Sequence, residues 1–241
     1  MKKLILALVF LSSFVQAEDV NLDDLMTPDE IEQEFSETVT SITSFVETLA
    51  QPLSPQRILT PQESFELYGV QWKKIYPLVV VINKAKQGPT AQRMIVYKNG
   101  QKSATYVVST GREKWETSKS GKRYFTRTPT GWFTPTRLVR NHYSRTWQAP
   151  MDYSIFFIGG IATHAAVKSS ERDLGKRASG GCIRLLRSQA RDLFEASRRA
   201  GQKVVPRFDR SGRPVYNSAR TKLLTSKQIQ TLIVVVDQPG R

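Results

Sequence analysis

The chain has 241 residues, 39% of them hydrophobic, which is enough for one domain of ordinary size with an N-terminal extension. Its formal net charge of +15 would ordinarily suggest a nucleic-acid partner. The first residues argue against nucleic acid, because they read as an export signal and favour anionic components of the cell envelope. A solvated basic surface that only adds solubility explains the charge equally well. The single cysteine excludes an intramolecular disulfide.

The first 17 residues have the pattern of a cleavable signal peptide. Lys2 and Lys3 form a short positive region, residues 4–15 are apolar, and Val15-Gln16-Ala17 is a small-residue cleavage pattern. No later segment approaches the roughly 18 to 20 apolar residues of a membrane-spanning helix. We therefore predict a soluble periplasmic protein that begins at about Glu18 and has no transmembrane anchor after cleavage.

An acidic helical extension is predicted over residues 18–75. Residues 18–56 contain ten acids and no Lys or Arg, whereas from Arg57 onward 34 basic residues accompany 11 acids. Apolar residues at spacings of three and four predict a helix over about 28–50. Thr60-Pro61-Gln62-Glu63 is a start signal for a second, short helix, which Gly69 can end. One hypothesis for the acidic helices is that they pack across the basic body and shield its groove.

From Tyr76 to the end of the chain the pattern is that of strands. The strongest signal is a hairpin in which residues 93–98 and 104–109 flank Asn99-Gly100. One helix interrupts the strands; Ser188 caps it, Gly201 follows its end, and Ala190, Leu193, Phe194 and Ala196 form its inner face. Further strands are predicted at residues 78–82, 132–134, 155–158, 161–164, 204–205 and 232–236. The pattern predicts a mostly β sandwich or barrel with few helices.

The only thiol, that of Cys182, follows Gly180-Gly181. A nucleophilic cysteine needs a nearby base, and His164, at the end of an apolar run, is a better candidate than His142 in a polar stretch. The two glycines leave the amides of Gly181 and Cys182 unshielded, as an oxyanion hole requires. Arg184 can lie on the same side and either bind an anion or lower the thiol pKa. A buried structural cysteine, a structural histidine and a structural Arg ion pair stay open as alternatives.

These features together resemble the L,D-transpeptidase catalytic domain, the YkuD family. The family pattern is a histidine, 14 to 17 residues, then Ser/Thr-His-Gly-Cys, a hydrophobic residue and Asn or Arg. Here His164 is followed by 14 residues and then by Ser179-Gly180-Gly181-Cys182-Ile183-Arg184. Residues 128–133, TPTGWF, match a second family segment, and residues 92–112 look like its opening hairpin. The resemblance covers about 78–208, and Gly180 departs from it because the family usually has a histidine there.

The resemblance implies an L,D-transpeptidase fold for residues 76–241 and acyl transfer on peptidoglycan stem peptides, for cell-wall cross-linking or remodelling. Cys182 would attack the stem and carry a thioester, and His164 would act as general base and acid. No metal or cofactor is implied. The supporting roles are the Ala165 carbonyl for orienting the imidazole, the Gly181 and Cys182 amides for the oxyanion, and Arg184, Ser179, Gly180 and Tyr153 for binding the substrate. Trp132 and Trp147 are further candidates for lining the groove.

The acyl acceptor stays open. A second stem gives cross-links, a free D-amino acid gives exchange, water gives L,D-carboxypeptidase activity, and a lysine on an outer-membrane protein gives or removes an anchor. An amidase acting on the same stems is a further alternative. A non-catalytic wall-binding protein with this fold is a different class, to which Gly180 lends some weight. An accessible thiol with a low pKa would favour catalysis, and an inert buried thiol would favour binding.

Overall fold

The structure, a computed structural model, describes residues 57–239. The predicted signal peptide and the predicted helix at about 28–50 lie outside this range. The described helices are α1 Pro61–Tyr68, α2 Trp72–Ile75 and α3 Arg187–Ala200, with a 3₁₀ helix at Lys168–Asp173. The strands are β1 Leu78–Asn83, β2 Arg93–Lys98, β3 Gln101–Val107, β4 Thr110–Gly111, β5 Trp115–Thr117, β6 Arg123–Phe125, β7 Gly131–Phe133, β8 Arg137–Ser144, β9 Ala149–Ile158, β10 Ile161–Ala165, β11 Arg177–Ser179, β12 Ile183–Leu185, β13 Gln202–Pro206, β14 Thr225–Ile229 and β15 Thr231–Val236. The prediction of a mostly β body with few helices is confirmed.

The larger sheet has the strand order β3-β2-β1-β15-β7 and is covered on both faces. Side chains alternate along β1, so that Leu78, Val80 and Ile82 join one apolar cluster and Val79 joins another. A strand buried on both sides reads as a continuous apolar run, which explains the uninterrupted sequence LVVVI.

The second sheet has the order β12-β10-β9-β8. Together with α3 it covers the Leu78 face of the larger sheet, where Ile155, Phe157, Leu185, Leu193 and Phe194 join the same cluster. β10 and β12 run parallel, with Thr163 opposite Ile183 and His164 opposite Arg184. This parallel pair places His164 and Arg184 side by side on neighbouring strands, close to Cys182.

The two helices before β1 pack on the other face of the larger sheet. Helix α1 has the predicted capping box, in which the Thr60 hydroxyl accepts from the Glu63 amide and the Glu63 carboxylate accepts from the Thr60 amide. Gly69 ends it in the left-handed conformation, as predicted. Trp72 of α2 and Tyr76 are buried in the cluster that contains Val79. Residues 57–75, which the sequence analysis assigned to the extension, therefore belong to the same packed body as the strands.

Helix α3 begins one residue before the predicted cap. Its N-cap residue is Leu186 rather than Ser188. Its inner face is as predicted: Ala190, Leu193 and Phe194 are buried in the core cluster and the half-buried Ala196 packs against it. Ser197 is buried as well. Over residues 57–239 no helix is both long and apolar enough to cross a membrane.

Candidate active site

The parallel pairing of β10 and β12 brings His164 and Cys182 together. Arg184 of β12 lies opposite His164 of β10. Cys182 precedes Arg184 by two residues, so its side chain is on the same face of the sheet as those of Arg184 and His164. All three side chains line one narrow cavity of about 50 Å³. His142, the other histidine, stacks edge-on against Phe156, 5.0 Å between ring centroids, and does not line this cavity.

The imidazole of His164 is held in one orientation by the backbone. Its Nδ1 lies 2.8 Å from the Ala165 carbonyl oxygen, as the family resemblance implies for this residue. A carbonyl oxygen only accepts, so Nδ1 carries the proton and Nε2 carries the lone pair. Burial lowers the pKa of His164 to about 4, outweighing the opposite effect of the Ala165 hydrogen bond. The imidazole is therefore neutral near pH 7 and can accept a proton at Nε2.

The thiol of Cys182 is protonated in the resting site. Cys182 is half-buried, and its Sγ lies 3.7 Å from the Gly160 carbonyl oxygen. Burial raises the pKa of the thiol, while a hydrogen bond from the Ala162 backbone and the charge of Arg184 lower it. Arg184 thus acts in the direction expected from sequence, but burial is the larger effect. The resting pair is a neutral thiol beside a neutral imidazole.

Ser179 closes the turn before the thiol. Its hydroxyl accepts from the Gly181 amide at 3.0 Å and donates to the Cys182 carbonyl at 2.5 Å, and its side chain is buried. The Gly181 amide therefore already has an acceptor, contrary to the expectation that it is unshielded and free to bind an oxyanion. The Cys182 amide has no acceptor within residues 57–239. Ser179, expected to bind substrate, uses its hydroxyl to shape the turn.

Gly181 is required by both its backbone and its surroundings. Its φ is +127°, and a Cβ there would lie 2.8 Å from Ile161 Cδ1 and 2.9 Å from the Arg127 carbonyl oxygen. Its own carbonyl accepts from the Thr128 hydroxyl at 2.7 Å, and the same hydroxyl accepts from the Gly111 amide at 2.8 Å. The TPTG segment therefore fixes the peptide between Gly181 and Cys182.

Gly180 is a glycine for a different reason. Its φ is not in the left-handed region that favours glycine, but a Cβ would lie 2.4 Å from Cε2 and Nε1 of Trp147. Its carbonyl accepts from the Tyr124 hydroxyl at 3.1 Å. The family position that usually carries a histidine is thus covered here by an indole ring from the turn between β8 and β9.

Two cavities meet at Cys182. The narrow one contains His164 and Arg184. A second, of about 290 Å³, opens on the other side and is lined by Tyr124, Lys122 and Ile161 as well as by Cys182. Trp147 and Met151 line both. A thiol at such a junction can be approached by two different groups.

Arg184 forms no ion pair with a carboxylate of residues 57–239, although the charge of Asp173 acts on it from a distance. Its Nη1 is 3.5 Å from the Ala178 carbonyl, which also accepts from Arg112 Nη1 at 2.6 Å. Arg112, in contrast, forms an ion pair with Glu116. A guanidinium that lines a cavity without an ion-pair partner is suited to a carboxylate ligand.

Two aromatic candidates from the sequence lie elsewhere. Tyr153 packs edge-on against Phe194 of α3 and lines neither cavity, contrary to its expected role in substrate binding. Its φ of +57° interrupts the regular alternation of β9, which would otherwise keep it on the same side as Met151. Trp132 is buried against Phe208 in the core, whereas Trp147 does line the site.

Tyr124 and Lys84 are two further residues of the site that no sequence pattern indicated. Tyr124 lies on the short hairpin of β5 and β6, which brings it to the Gly180 carbonyl. The buried Lys84 donates to Glu113 at 2.7 Å and to the Thr128 carbonyl at 2.9 Å, so it supports the TPTG segment from below. Neither residue has a sequence signal beyond its type. No cluster of His, Cys, Asp and Glu able to hold a metal is found between residues 57 and 239.

Comparisons with known proteins find one matching family model and several similar solved structures. A family model described as the L,D-transpeptidase catalytic domain matches residues 77–215. A search of curated proteins finds no match. Similar solved structures include an L,D-transpeptidase from Xylanimonas cellulosilytica DSM 15894, at 20% identity, covering 66% of this chain and 60% of that chain, with a TM-score of 0.44.

Two mycobacterial structures are similar at the same level. L,D-transpeptidase 3 from Mycobacterium tuberculosis, in complex with a faropenem-derived adduct, is 15% identical, with 67% and 61% of the two chains covered and a TM-score of 0.44. An L,D-transpeptidase from Mycobacterium smegmatis is 15% identical, with 66% and 58% covered and a TM-score of 0.43. This chain spans about three fifths of the length of these structures. Since the family model covers more than half of the chain, the protein belongs to the L,D-transpeptidase catalytic domain family.

Proposed function

We propose that this protein is an exported cysteine acyltransferase that acts on peptidoglycan stem peptides as an L,D-transpeptidase. The observation that carries the proposal is the arrangement at the end of β10 and β12. There a lone thiol and a neutral, backbone-oriented imidazole share one cavity with a guanidinium that has no ion-pair partner among residues 57–239. This set of groups is suited to acyl transfer from a donor that carries a carboxylate.

In the first half of the reaction Cys182 Sγ attacks the carbonyl of the third residue of a stem. The thiol proton passes to His164 Nε2 as the S–C bond forms, because both groups begin neutral. The Cys182 amide donates to the oxyanion, and such a donor is typically worth about 3 to 4 kcal/mol. The imidazolium then protonates the leaving amine, the amide C–N bond breaks, and the terminal D-residue departs.

In the second half an acceptor amine attacks the thioester. His164 Nε2 removes the proton from the attacking nitrogen, the new amide bond forms, and the C–S bond breaks. The thiol of Cys182 is regenerated by the proton from His164. A second stem as acceptor gives a cross-link between stems. Arg184 supports this assignment because its guanidinium can hold a stem carboxylate in the narrow cavity beside the thiol.

Export to the periplasm is part of the proposal, since peptidoglycan lies outside the cytoplasm. Its support is the N-terminal pattern of Lys2 and Lys3, the apolar residues 4–15 and the small-residue pattern before Glu18. Fractionation of cells followed by intact-mass measurement tests it. A periplasmic protein whose mass begins near Glu18 is expected, and a cytoplasmic protein that keeps residues 1–17 would contradict export.

The activity is tested by incubating the purified protein with disaccharide-tetrapeptides and analysing both protein and products by mass spectrometry. We expect an acyl adduct on Cys182, release of the terminal D-residue, and cross-linked dimers. Cys182→Ala should give none of these, and His164→Gln should form the adduct much more slowly. Adding a free D-amino acid or a lysine peptide distinguishes the acceptors. Absence of an adduct on Cys182, or equal turnover by Cys182→Ala, would refute the proposal.

A further inference from the structure

The indole of Trp147 occupies a position that in this family would usually belong to a side chain at position 180. It lies in the turn between β8 and β9, and its ring atoms would be 2.4 Å from a Cβ on Gly180. The φ of Gly180 is not in the left-handed region, and the three atoms nearest to an added Cβ all belong to the indole, so the ring is what a larger residue there would meet first. The indole therefore fills the space that a side chain at position 180 would need, and the glycine at 180 makes room for the ring.

Three contacts hold the ring in place. Tyr124 packs edge-on against it, with 5.8 Å between ring centroids, and the Arg112 guanidinium lies 5.3 Å from its centroid. The Trp147 amide donates to Ser144 Oγ at 3.2 Å. Tyr124 in turn donates to the Gly180 carbonyl. Ring, phenol and glycine thus form a closed set of contacts directly beside the thiol turn.

The same ring is a wall of both cavities that meet at Cys182. One cavity holds His164 and Arg184, and the other is the wider space lined by Tyr124 and Lys122. A thioester formed on Cys182 would therefore lie against the indole whichever cavity its acyl group fills. An apolar ring at this point excludes water from the reacting carbonyl without supplying any group that reacts.

We propose that Trp147 is a specificity-determining residue that shields the Cys182 thioester from water and so directs the acyl group to an amine acceptor. The inference rests on the proposed acyl transfer. Both outcomes start from the same thioester. With an amine, the C–S bond breaks as a C–N bond forms; with water, a C–O bond forms instead and a free tripeptide carboxylate results. In either case His164 takes the proton from the nucleophile.

The test compares the wild type with Trp147→Ala and Trp147→Phe, using disaccharide-tetrapeptides as donor and acceptor. Trp115→Ala is the matched control, because that tryptophan is 64% exposed and lines neither cavity. We expect Trp147→Ala to raise the ratio of free tripeptide to cross-linked dimer by roughly tenfold, a difference of about 1.4 kcal/mol between the two barriers. Trp147→Phe should lie between, and Trp115→Ala should match the wild type. An unchanged ratio in a variant that still acylates would overturn the proposal.

A second measurement does not depend on turnover. Alkylation of Cys182 by iodoacetamide should be several-fold faster in Trp147→Ala than in the wild type and unchanged in Trp115→Ala. If the wild type forms no acyl adduct but alkylation still accelerates, acyl transfer fails while the shielding by Trp147 stands. If alkylation does not accelerate, the ring does not cover the thiol and the shielding proposal is refuted.

The coupling of Trp147 with Gly180 supplies an independent check. Gly180→Ala should lower the melting temperature in the wild-type background, because the new methyl group overlaps the ring. In the Trp147→Ala background the same change should have little effect. Equal losses in both backgrounds would show that the ring is not what Gly180 accommodates.

Discussion

The hydroxyl of Thr128 should matter more to catalysis than its distance in sequence from Cys182 suggests. It donates to the Gly181 carbonyl at 2.7 Å and accepts from the Gly111 amide at 2.8 Å, and its side chain is fully buried. The Gly181 carbonyl and the Cys182 amide belong to one trans peptide and point in opposite directions. Fixing the carbonyl therefore aims the amide that is expected to bind the oxyanion.

Thr128→Val keeps the shape of the side chain and removes the hydroxyl. It leaves a buried amide and a buried carbonyl without partners, at about 1 to 3 kcal/mol each, so we expect unfolding free energy to fall by about 2 to 6 kcal/mol. Thr128→Ser keeps both hydrogen bonds and loses only a methyl group, about 1 kcal/mol. In the folded fraction, kcat should fall by up to roughly 10²-fold in the Val variant, the lower end of the cost of losing an oxyanion donor.

Urea unfolding and steady-state release of the terminal D-residue measure the two effects separately. Iodoacetamide alkylation of Cys182 serves as the control, because it involves no oxyanion and should proceed at similar rates in folded Val and Ser variants. If Thr128→Val and Thr128→Ser have the same kcat, the hydroxyl does not position the Cys182 amide and the reasoning is wrong.

Three further predictions concern buried ionisable groups. His164 should make the protein acid-labile: its pKa is about 4 when folded and 6.5 in the unfolded chain, so the unfolded state binds more protons, and stability falls by about 3 kcal/mol as pH drops from 7 to 4. In His164→Gln, the free energy of unfolding measured with urea should not show this decrease between pH 7 and pH 4. The same pH dependence in the variant and the wild type would contradict the prediction. The alkylation rate of Cys182, followed by mass spectrometry, should reach its midpoint at a higher pH than that of the same thiol in the urea-unfolded chain, because burial raises the thiol pKa; a midpoint at a lower pH than in the unfolded chain would be inconsistent with the structure. Lys84→Met should cost about 3 kcal/mol in thermal unfolding, since it breaks a buried pair with Glu113, whereas Lys114→Met, at an exposed pair, should cost less than about 1 kcal/mol.

Local signals in the sequence predicted those parts of the fold that depend on neighbouring residues. The hairpin around Asn99-Gly100 forms with φ values of +49° and +77° at these two residues, as a tight two-residue turn requires. The cap at Thr60 is likewise decided by the residues that follow it. Strand β8 was not predicted, because it is an edge strand whose exposed charges follow no clear alternation and whose pairing is fixed by β9.

The site, too, has residues that the sequence predicts and residues whose roles depend on the folded structure. His164 and Cys182 could be chosen from residue type and family spacing, and the parallel pairing of their strands places them at one cavity. The Gly181 amide could not be judged from sequence, because its partner, the Ser179 hydroxyl, depends on the folded turn. The position of the Tyr153 side chain depends on its positive φ. The position of Trp147 depends on contact between two loops that are distant in sequence, its own and that of Gly180. Such features arise from tertiary contacts, which propensity and periodicity do not encode.

The interior position of β15 in the larger sheet affects how the sheet can form. This strand begins at Thr231 and lies between β1 and β7, so that the sheet has a gap until residues 231–236 are in place. A nascent chain that lacks residues 231–236 leaves the backbone edge of β1 that pairs with β15 without a partner. Long-range pairing of this kind slows folding. A polypeptide that lacks β15 should therefore expose unpaired strand edges on β1 and β7, and such edges favour aggregation.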